Sequence, residues 1–333
     1  MFRHLTLPRL PTAPLALAIG LLLNACGGGD TDVAGVSSGG TGNVGPGKAA
    51  AVSGTVQAQG LRVNDIHIDV TPGSTTITGP NGEAVASDTL TEGTNVVVDA
   101  GLVTRQADGL HAPADRIQVA PLLLGPVRAV PPQTTVGTLN VMDQAVQVDA
   151  NTRIDAHWGT LAAIQLGDIV EVHGWQDVAN QRYVATRLVW RTAPSSYSVT
   201  GVLTALNLEE AQCTVGTQSL GYVSSLSTTE LSDGMWVRGK LMARIPDPDT
   251  GRWFTQNLDP VDRGLTDKPQ VSVEGLVNAI HPTQQWMEVQ GWRVSLVSPA
   301  CTTCAGHTVG EAVRVVGELK AGLITAHEVV SRP

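Results

Sequence analysis

The chain has 333 residues, 42% of them apolar and 15% charged, and a formal net charge of −9. That length is too great for one ordinary domain. The apolar share supports packed cores, while the charged share falls below the globular norm of about 25%. An acidic balance with only four Lys and no basic run excludes a phosphate-backbone surface, which needs clustered Lys and Arg. Nucleic acid is therefore not an expected partner.

Residues 1–25 carry Arg3, His4 and Arg9, then an apolar core from Pro14 to Leu23. The core is about ten residues long, half of the about 20 that a spanning helix needs, so it reads as the h-region of a signal peptide. Leu23-Asn24-Ala25-Cys26 resembles the lipobox of bacterial lipoproteins, in which the cysteine sulfur takes a diacylglycerol and the chain is cut before it. The resemblance implies that Cys26 is the lipidated N-terminus and that a membrane is held through it. Several acyl chains, at about 0.8 kcal/mol per buried CH₂, give a durable anchor. Gly27 in place of Asp implies export to the outer membrane, on its periplasmic face. Removal of the first 25 residues takes away Arg3 and Arg9 and no acid, so the net charge falls to about −11.

Residues 26–50 are Gly-rich and nearly free of large apolar side chains, which is the composition of a flexible linker. Gly42 to Lys48 fits G-x-x-x-x-G-K, but Ala49 stands where a P-loop needs Ser or Thr, and no strand or helix is legible around it.

Beyond the linker the patterning has period two. Ile66, Ile68 and Val70 alternate with Asp65, His67 and Asp69, which puts apolar and polar sets on opposite faces of a strand. No sustained helical period follows, and at most short helical turns such as Thr160 to Leu166 are expected. Two landmarks recur. The first is a glycine opening a short strand, at Gly54, Gly125, Gly201 and Gly275, with spacings of about 71, 76 and 74 residues, the mark of a repeat. The second is clearest in Gly167-Asp168-Ile169-Val170-Glu171-Val172-His173-Gly174 and in Gly310 to Gly317; Gly93 to Ala100 lacks the final glycine, and Gly234 to Gly239 reads as a shortened copy. A closing strand follows at Val184 to Leu188 and at Ile324 to Val329. The expected fold is all-β, with tandem small OB-like barrels of five or six strands, since closure removes exposed sheet edges. The expected units are 51–121, 122–193, 194–268 and 269–333, with Pro121, Pro194 and Pro269 at their joints. The third is expected to carry an insertion from Ile245 to Asp259.

The pattern G-x-V, two strands, G-D-x-V-x-V-x-G and A-T-x-hydrophobic resembles a bacterial family of unknown function, found as repeated small β-barrels in envelope lipoproteins. Gly125 to Val189 carries the resemblance best, followed by Gly275 to Val330. It implies an architecture and an envelope location, and no activity.

Few constellations offer chemistry. Cys213, Cys301 and Cys304 remain after Cys26, and His307 follows the Cys301-x-x-Cys304 pair. Three readings are open: a loop-stapling disulfide among the three cysteines, a metal set of Cys301, Cys304 and His307 with Cys213 as fourth ligand, or a redox pair. The seven Trp suit packing, but Trp175 and Trp253 lie beside expected loops and are candidates for stacking on a ligand. Asp247 to Gly251 reads as a hairpin turn, and the eight His are scattered singly. No G-x-S-x-G, H-E-x-x-H or Rossmann glycine run follows the signal segment. The expectation is a non-catalytic binding or scaffold module without cofactor, whose partner is an envelope protein or, alternatively, a glycan.

Overall fold

Period-two sequence becomes strand along most of the chain. The computed structural model describes residues 46–332 apart from 59, 132–135, 223–230, 245 and 299–300. The signal segment, the lipobox with Cys26 and most of the Gly-rich stretch lie outside the described residues. These are all-β, with two short 3₁₀ turns at Ser87–Thr89 and Leu161–Ala163. All of them belong to one compact unit.

The first barrel uses β1 (Ala49–Gln57), β2 (Arg62–Val63), β3 (Ile66–Asp69), β5 (Asn95–Leu102) and β7 (Gly109–Val119), with β4 (Thr76–Thr78) and β6 (Thr104–Gln106) added on β7. The second uses β8 (Leu123–Ala129), β9 (Gly137–Val141), β10 (Gln144–Val148), β12 (Ile169–Asp177) and β13 (Arg182–Arg191), with β11 (Arg153–Ile154) on β13. The third uses β14 (Ser196–Asn207), β15 (Gln212–Val215), β16 (Gln218–Tyr222), β17 (Trp236–Met242) and β18 (Trp253–Pro260). The fourth uses β19 (Lys268–His281), β20 (Trp286–Val289), β21 (Trp292–Ser295), β22 (Ala312–Lys320) and β23 (Leu323–Ser331).

Each barrel closes in the same order. Its first strand pairs antiparallel with the second and the second with the third. The third pairs parallel with the fifth, the fifth antiparallel with the fourth, and the fourth antiparallel with the first. That is the order of an OB-like barrel. The barrels then join in pairs. Strand β1 runs parallel to β19, with Ala50 opposite Gln270 and Ser53 opposite Val273, and β8 runs antiparallel to β14 at Leu123 and Leu124. One apolar core accordingly spans the second and third barrels, while Ala51 and Val97 of the first barrel enter the core of the fourth.

The recurrent glycines have two separate causes. At the opening landmark the tip of the barrel's own second-to-third-strand hairpin lies over the strand. A Cβ on Gly54 would meet Asn64, one on Gly125 would collide with Met142, and one on Gly275 would collide with Gln290. In the third barrel the hairpin tip is Gly216, and Tyr183 and Gln176 of the second barrel fill the space over Gly201 instead. The closing glycine belongs to a β-bulge. Gly174 has φ +147° and presses on the Val184 carbonyl, where the β12–β13 register shifts.

Three expectations need correction. Strand β1 begins at Ala49, inside the segment read as linker, and Ala50 is fully buried. The third barrel's copy of the second landmark is not shortened between its opening glycine and its bulge, although its strand β17 has 7 residues against 9 in β12 and β22. Its bulge falls between Lys240 and Leu241, the counterpart of the shifts at Gly174, Gly317 and Ala100. Leu241 therefore stands where a closing glycine was sought, because a bulge requires an unpaired residue and not a particular side chain. The supposed insertion contains the fifth strand β18, and only the intervening hairpin is long. Its turn is held by Asp247, which accepts from the Asp249 and Thr250 amides and from Thr250 Oγ1.

Side-chain amides hold barrel to barrel. Gln144, fully buried on β10, donates to the Val215 carbonyl at 2.8 Å and accepts from the Thr217 amide at 3.0 Å and its hydroxyl at 2.7 Å. Replacing it by Leu strands the buried Val215 carbonyl, at about 1–3 kcal/mol, and removes the acceptor of the exposed Thr217 amide and hydroxyl. Gln144→Leu is expected to lower unfolding free energy by about 2–4 kcal/mol in urea titrations, whereas the exposed neighbour change Asp143→Asn is expected to cost less.

Candidate functional site

The four barrels meet around a cavity of about 450 Å³. Its lining includes Ser53, Asn95 and Gln118 of the first barrel, Trp175 of the second, Trp236 and Arg238 of the third, and Glu274 and Trp292 of the fourth. The local sequence explains each placement. Trp175 follows the bulge at Gly174, where the strand is re-aimed. Trp236 opens β17, and Gly291 at the tip of the β20–β21 hairpin packs so closely on it that a Cβ would strike its ring. Trp292 is the next residue of that tip and donates from Nε1 to Ser53 Oγ at 3.3 Å.

Trp175 and Trp236 are half-buried, whereas Trp292 is buried with the Arg263 guanidinium 4.3 Å above its ring. Arg263 also donates to the Gln290 carbonyl at 2.7 Å, and burial lowers its pKa to about 10 against the opposing pull of Asp262. Arg238 differs in having so few partners. Among the described residues its one hydrogen bond is to Ser198 Oγ at 3.3 Å, and none of their carboxylates lies within ion-pairing distance. Burial lowers its pKa, and the fields of Glu83 and Glu171 oppose this. Asp259 faces it across β17–β18 but is exposed. Burial raises the pKa of the Glu274 carboxyl, opposed by Arg314. The cavity thus offers two half-buried indoles, a weakly partnered guanidinium and neutral amides. Among the described residues, neither lining hydroxyl, Ser53 nor Thr200, is hydrogen-bonded to a carboxylate or an imidazole.

A second cavity, of about 440 Å³, lies between the first two barrels and borders a buried polar chain. Arg191 donates to both Glu171 oxygens, from Nε at 3.1 Å and Nη2 at 2.8 Å. His173 lies 3.0 Å from Glu171 Oε1 through Nε2 and accepts the Asn95 amide at Nδ1, 3.2 Å away. With Nδ1 accepting, Nε2 carries the proton and donates to Glu171. Burial alone would raise the Glu171 pKa, but His173 and Arg191 overcome it and hold the group at about 2.

The sequence-predicted residues fare differently. Trp175 lines the junction cavity. Trp253 does not: it is buried on β18, edge-on to Tyr197, with Nε1 donating to Asp143 Oδ2 at 2.9 Å. The hairpin expected beside it leaves the residue inside the core, because β18 is a barrel strand. Cys301 and Cys304 form a disulfide in the loop between β21 and β22, and Cys213 stays unpaired in the shared core of the second and third barrels. With both sulfurs joined, neither is a thiolate for a metal. His307 is engaged by Glu311 at 3.0 Å and by the Thr303 carbonyl at 2.9 Å. Cys26 lies outside the described residues. The histidines are not all single, since His67 and His111 stack on one another. Arg238, Trp236, Trp292 and Asn95 were not singled out from sequence. They converge from different barrels, and no local pattern marks them.

Residues 125–188 match the model of a family described as Domain of unknown function (DUF5666). The match covers the five closed strands of the second barrel almost entirely, on the span that carries the sequence resemblance best. No curated protein matches the chain.

The depressed Glu171 pKa has a definite sign. The group adds stability that is complete above its ordinary pKa of 4.5 and is lost as pH falls through about 2. Glu171→Gln is expected to be less stable at neutral pH and to show a flatter decline between pH 4.5 and 2 in denaturant titrations. For the thiols, burial with a smaller contribution from Asp233 pushes Cys213 up to about 12. Leaving Cys26 aside, mass-resolved alkylation is expected to label no cysteine in the folded protein at pH 8. After unfolding without reductant it should label Cys213 alone; labelling of Cys301 would contradict the bridge.

Proposed function

We propose that the protein is a non-catalytic binding module of the bacterial envelope, held at the periplasmic face of the outer membrane through lipidated Cys26, and that its ligand is a glycan segment seated at the four-barrel junction. Location and anchor rest on the lipobox-like Leu23 to Cys26 and on the family resemblance. The ligand class rests on one observation: Trp175 and Trp236, half-buried, share a cavity of about 450 Å³ with the weakly partnered Arg238. Indole faces stack on the apolar faces of sugar rings, and a guanidinium supplies donors to hydroxyl or carboxylate oxygens. The volume lies within the range of small-ligand sites, and one or two sugar units suit it. Of the two partner classes compatible with the sequence, an envelope protein and a glycan, the recessed, indole-lined cavity favours the glycan. We also read the first, third and fourth barrels as divergent copies of the matched domain, since they share its strand order and its opening glycine.

The test is titration of intrinsic Trp fluorescence, backed by calorimetry, with neutral and uronic-acid mono- to tetrasaccharides of envelope type. A saturable response is expected, weakened at least tenfold in Trp175→Ala and in Arg238→Met. A silent panel with correctly folded protein would remove the glycan reading. Cross-linking in intact cells that returned one dominant envelope protein would then favour the scaffold reading.

A further inference from the structure

The polar face of β3 carries His67 and Asp69, and parallel pairing with β7 sets His67 directly opposite His111. Their rings stack with centroids 4.5 Å apart and planes within 6°. The turn between β6 and β7 carries Asp108 to the same place, so that a nitrogen of each imidazole and an oxygen of Asp108 lie within 4.8 Å of one another. His111 is gripped from both sides. Its Nδ1 lies 3.2 Å from Asp69 Oδ1, and its Nε2 lies 3.0 Å from Asp108 Oδ1. A carboxylate at each ring nitrogen requires a proton on both nitrogens, or a cation in place of one proton.

We propose that His67, His111 and Asp108 form a binding site for a divalent transition cation of the zinc class, with Asp69 as the positioning residue that fixes the His111 ring. The Asp69 contact to Nδ1 is the carboxylate–histidine arrangement that, in metal sites, sets the tautomer and presents Nε2 to the ion. Two imidazoles with one carboxylate suit zinc, nickel or copper, whereas calcium and magnesium take oxygen donors. Bonds of about 2.0–2.1 Å in a tetrahedral site put ligand atoms about 3.3 Å apart. His111 Nε2 and Asp108 Oδ1 already lie 3.0 Å apart, so the widest separation must close by up to about 1.5 Å, which rotation of the half-buried His67 out of its stack on His111 supplies. Three protein donors leave a fourth position for water. The site shares no residue with the junction cavity, so it stands or falls independently of the glycan reading.

The experiment is calorimetric titration of Zn²⁺ into chelator-treated protein carrying no polyhistidine tag, with Co²⁺ absorption as the spectroscopic readout. One ion per chain is expected, with micromolar or tighter affinity and a Co²⁺ visible band. His67→Ala and His111→Ala should each weaken binding at least 100-fold and abolish the band. Asp69→Asn should weaken binding about 10- to 100-fold while keeping the band. Because Asp108 sits on an exposed turn, Asp108→Asn carries the test by itself if a histidine variant folds poorly. Absence of a stoichiometric ion, or an affinity unchanged in both His67→Ala and Asp108→Asn, would overturn the proposal.

Discussion

The assembly depends on carboxamide side chains that pair with the backbone of a neighbouring barrel. Gln144 bridges the second barrel to the third, and Asn64 bridges the first to the fourth by donating to the Ser272 carbonyl at 3.1 Å. Gln290 bridges the fourth to the second, donating to the Gln176 carbonyl and accepting its amide, both at 3.0 Å. Asn95 bridges the first to the second through both backbone groups of Gly174. An amide carries a donor and an acceptor on one rigid plane, so it can stand in for the missing strand neighbour of a peptide group. Inside a dry interface such a bond is costly to leave half-made. The contacts therefore specify one relative arrangement of the barrels, which apolar packing alone would leave loose.

This arrangement changes where a ligand can bind. In OB-type barrels the second and third strands and their adjoining loops form the usual ligand surface. Here the tip of that hairpin is occupied in each barrel by a neighbour or a neighbour's residues. Asn64, Gln144 and Gln290 leave from it in three barrels, and Gly216 receives Tyr183 and Gln144 in the other. The concave space open to a ligand therefore lies between the barrels rather than on any single one. Trp175, Trp236 and Trp292 come from three barrels and line one cavity.

Much of the fold was legible because its signals are local. Strand alternation at Ile66 to Val70 and the glycine spacing follow from the period of the pleat and from hairpin tips pressing on first strands. The third barrel defeated the reading because Leu241 occupies its bulge, and a bulge leaves no obligatory residue type. The site was legible only in Trp175. Trp253 misled because a long hairpin beside it resembled a loop, while its ring lies in the barrel core. Arg238, Trp236 and Asn95 owe their importance to contacts between barrels, and His67 meets His111 only through a parallel pairing across 44 residues. Pairings of that kind carry no sequence period, so composition and alternation are silent about them.

Arg238 connects the energetics of the assembly to its use. A guanidinium drawn partly out of water gains from carboxylates or further acceptors, and half-buried Arg238 has, among the described residues, a single hydroxyl at 3.3 Å. The amide clamps hold the barrels together around that deficit. An oxygen-rich ligand in the cavity would supply the missing acceptors, so its binding energy would appear also as added stability of the folded state. Because the lining is drawn from all four barrels, that gain would be shared by every interface. With a ligand of the proposed class, occupancy of the junction and cohesion of the four barrels would therefore be thermodynamically coupled.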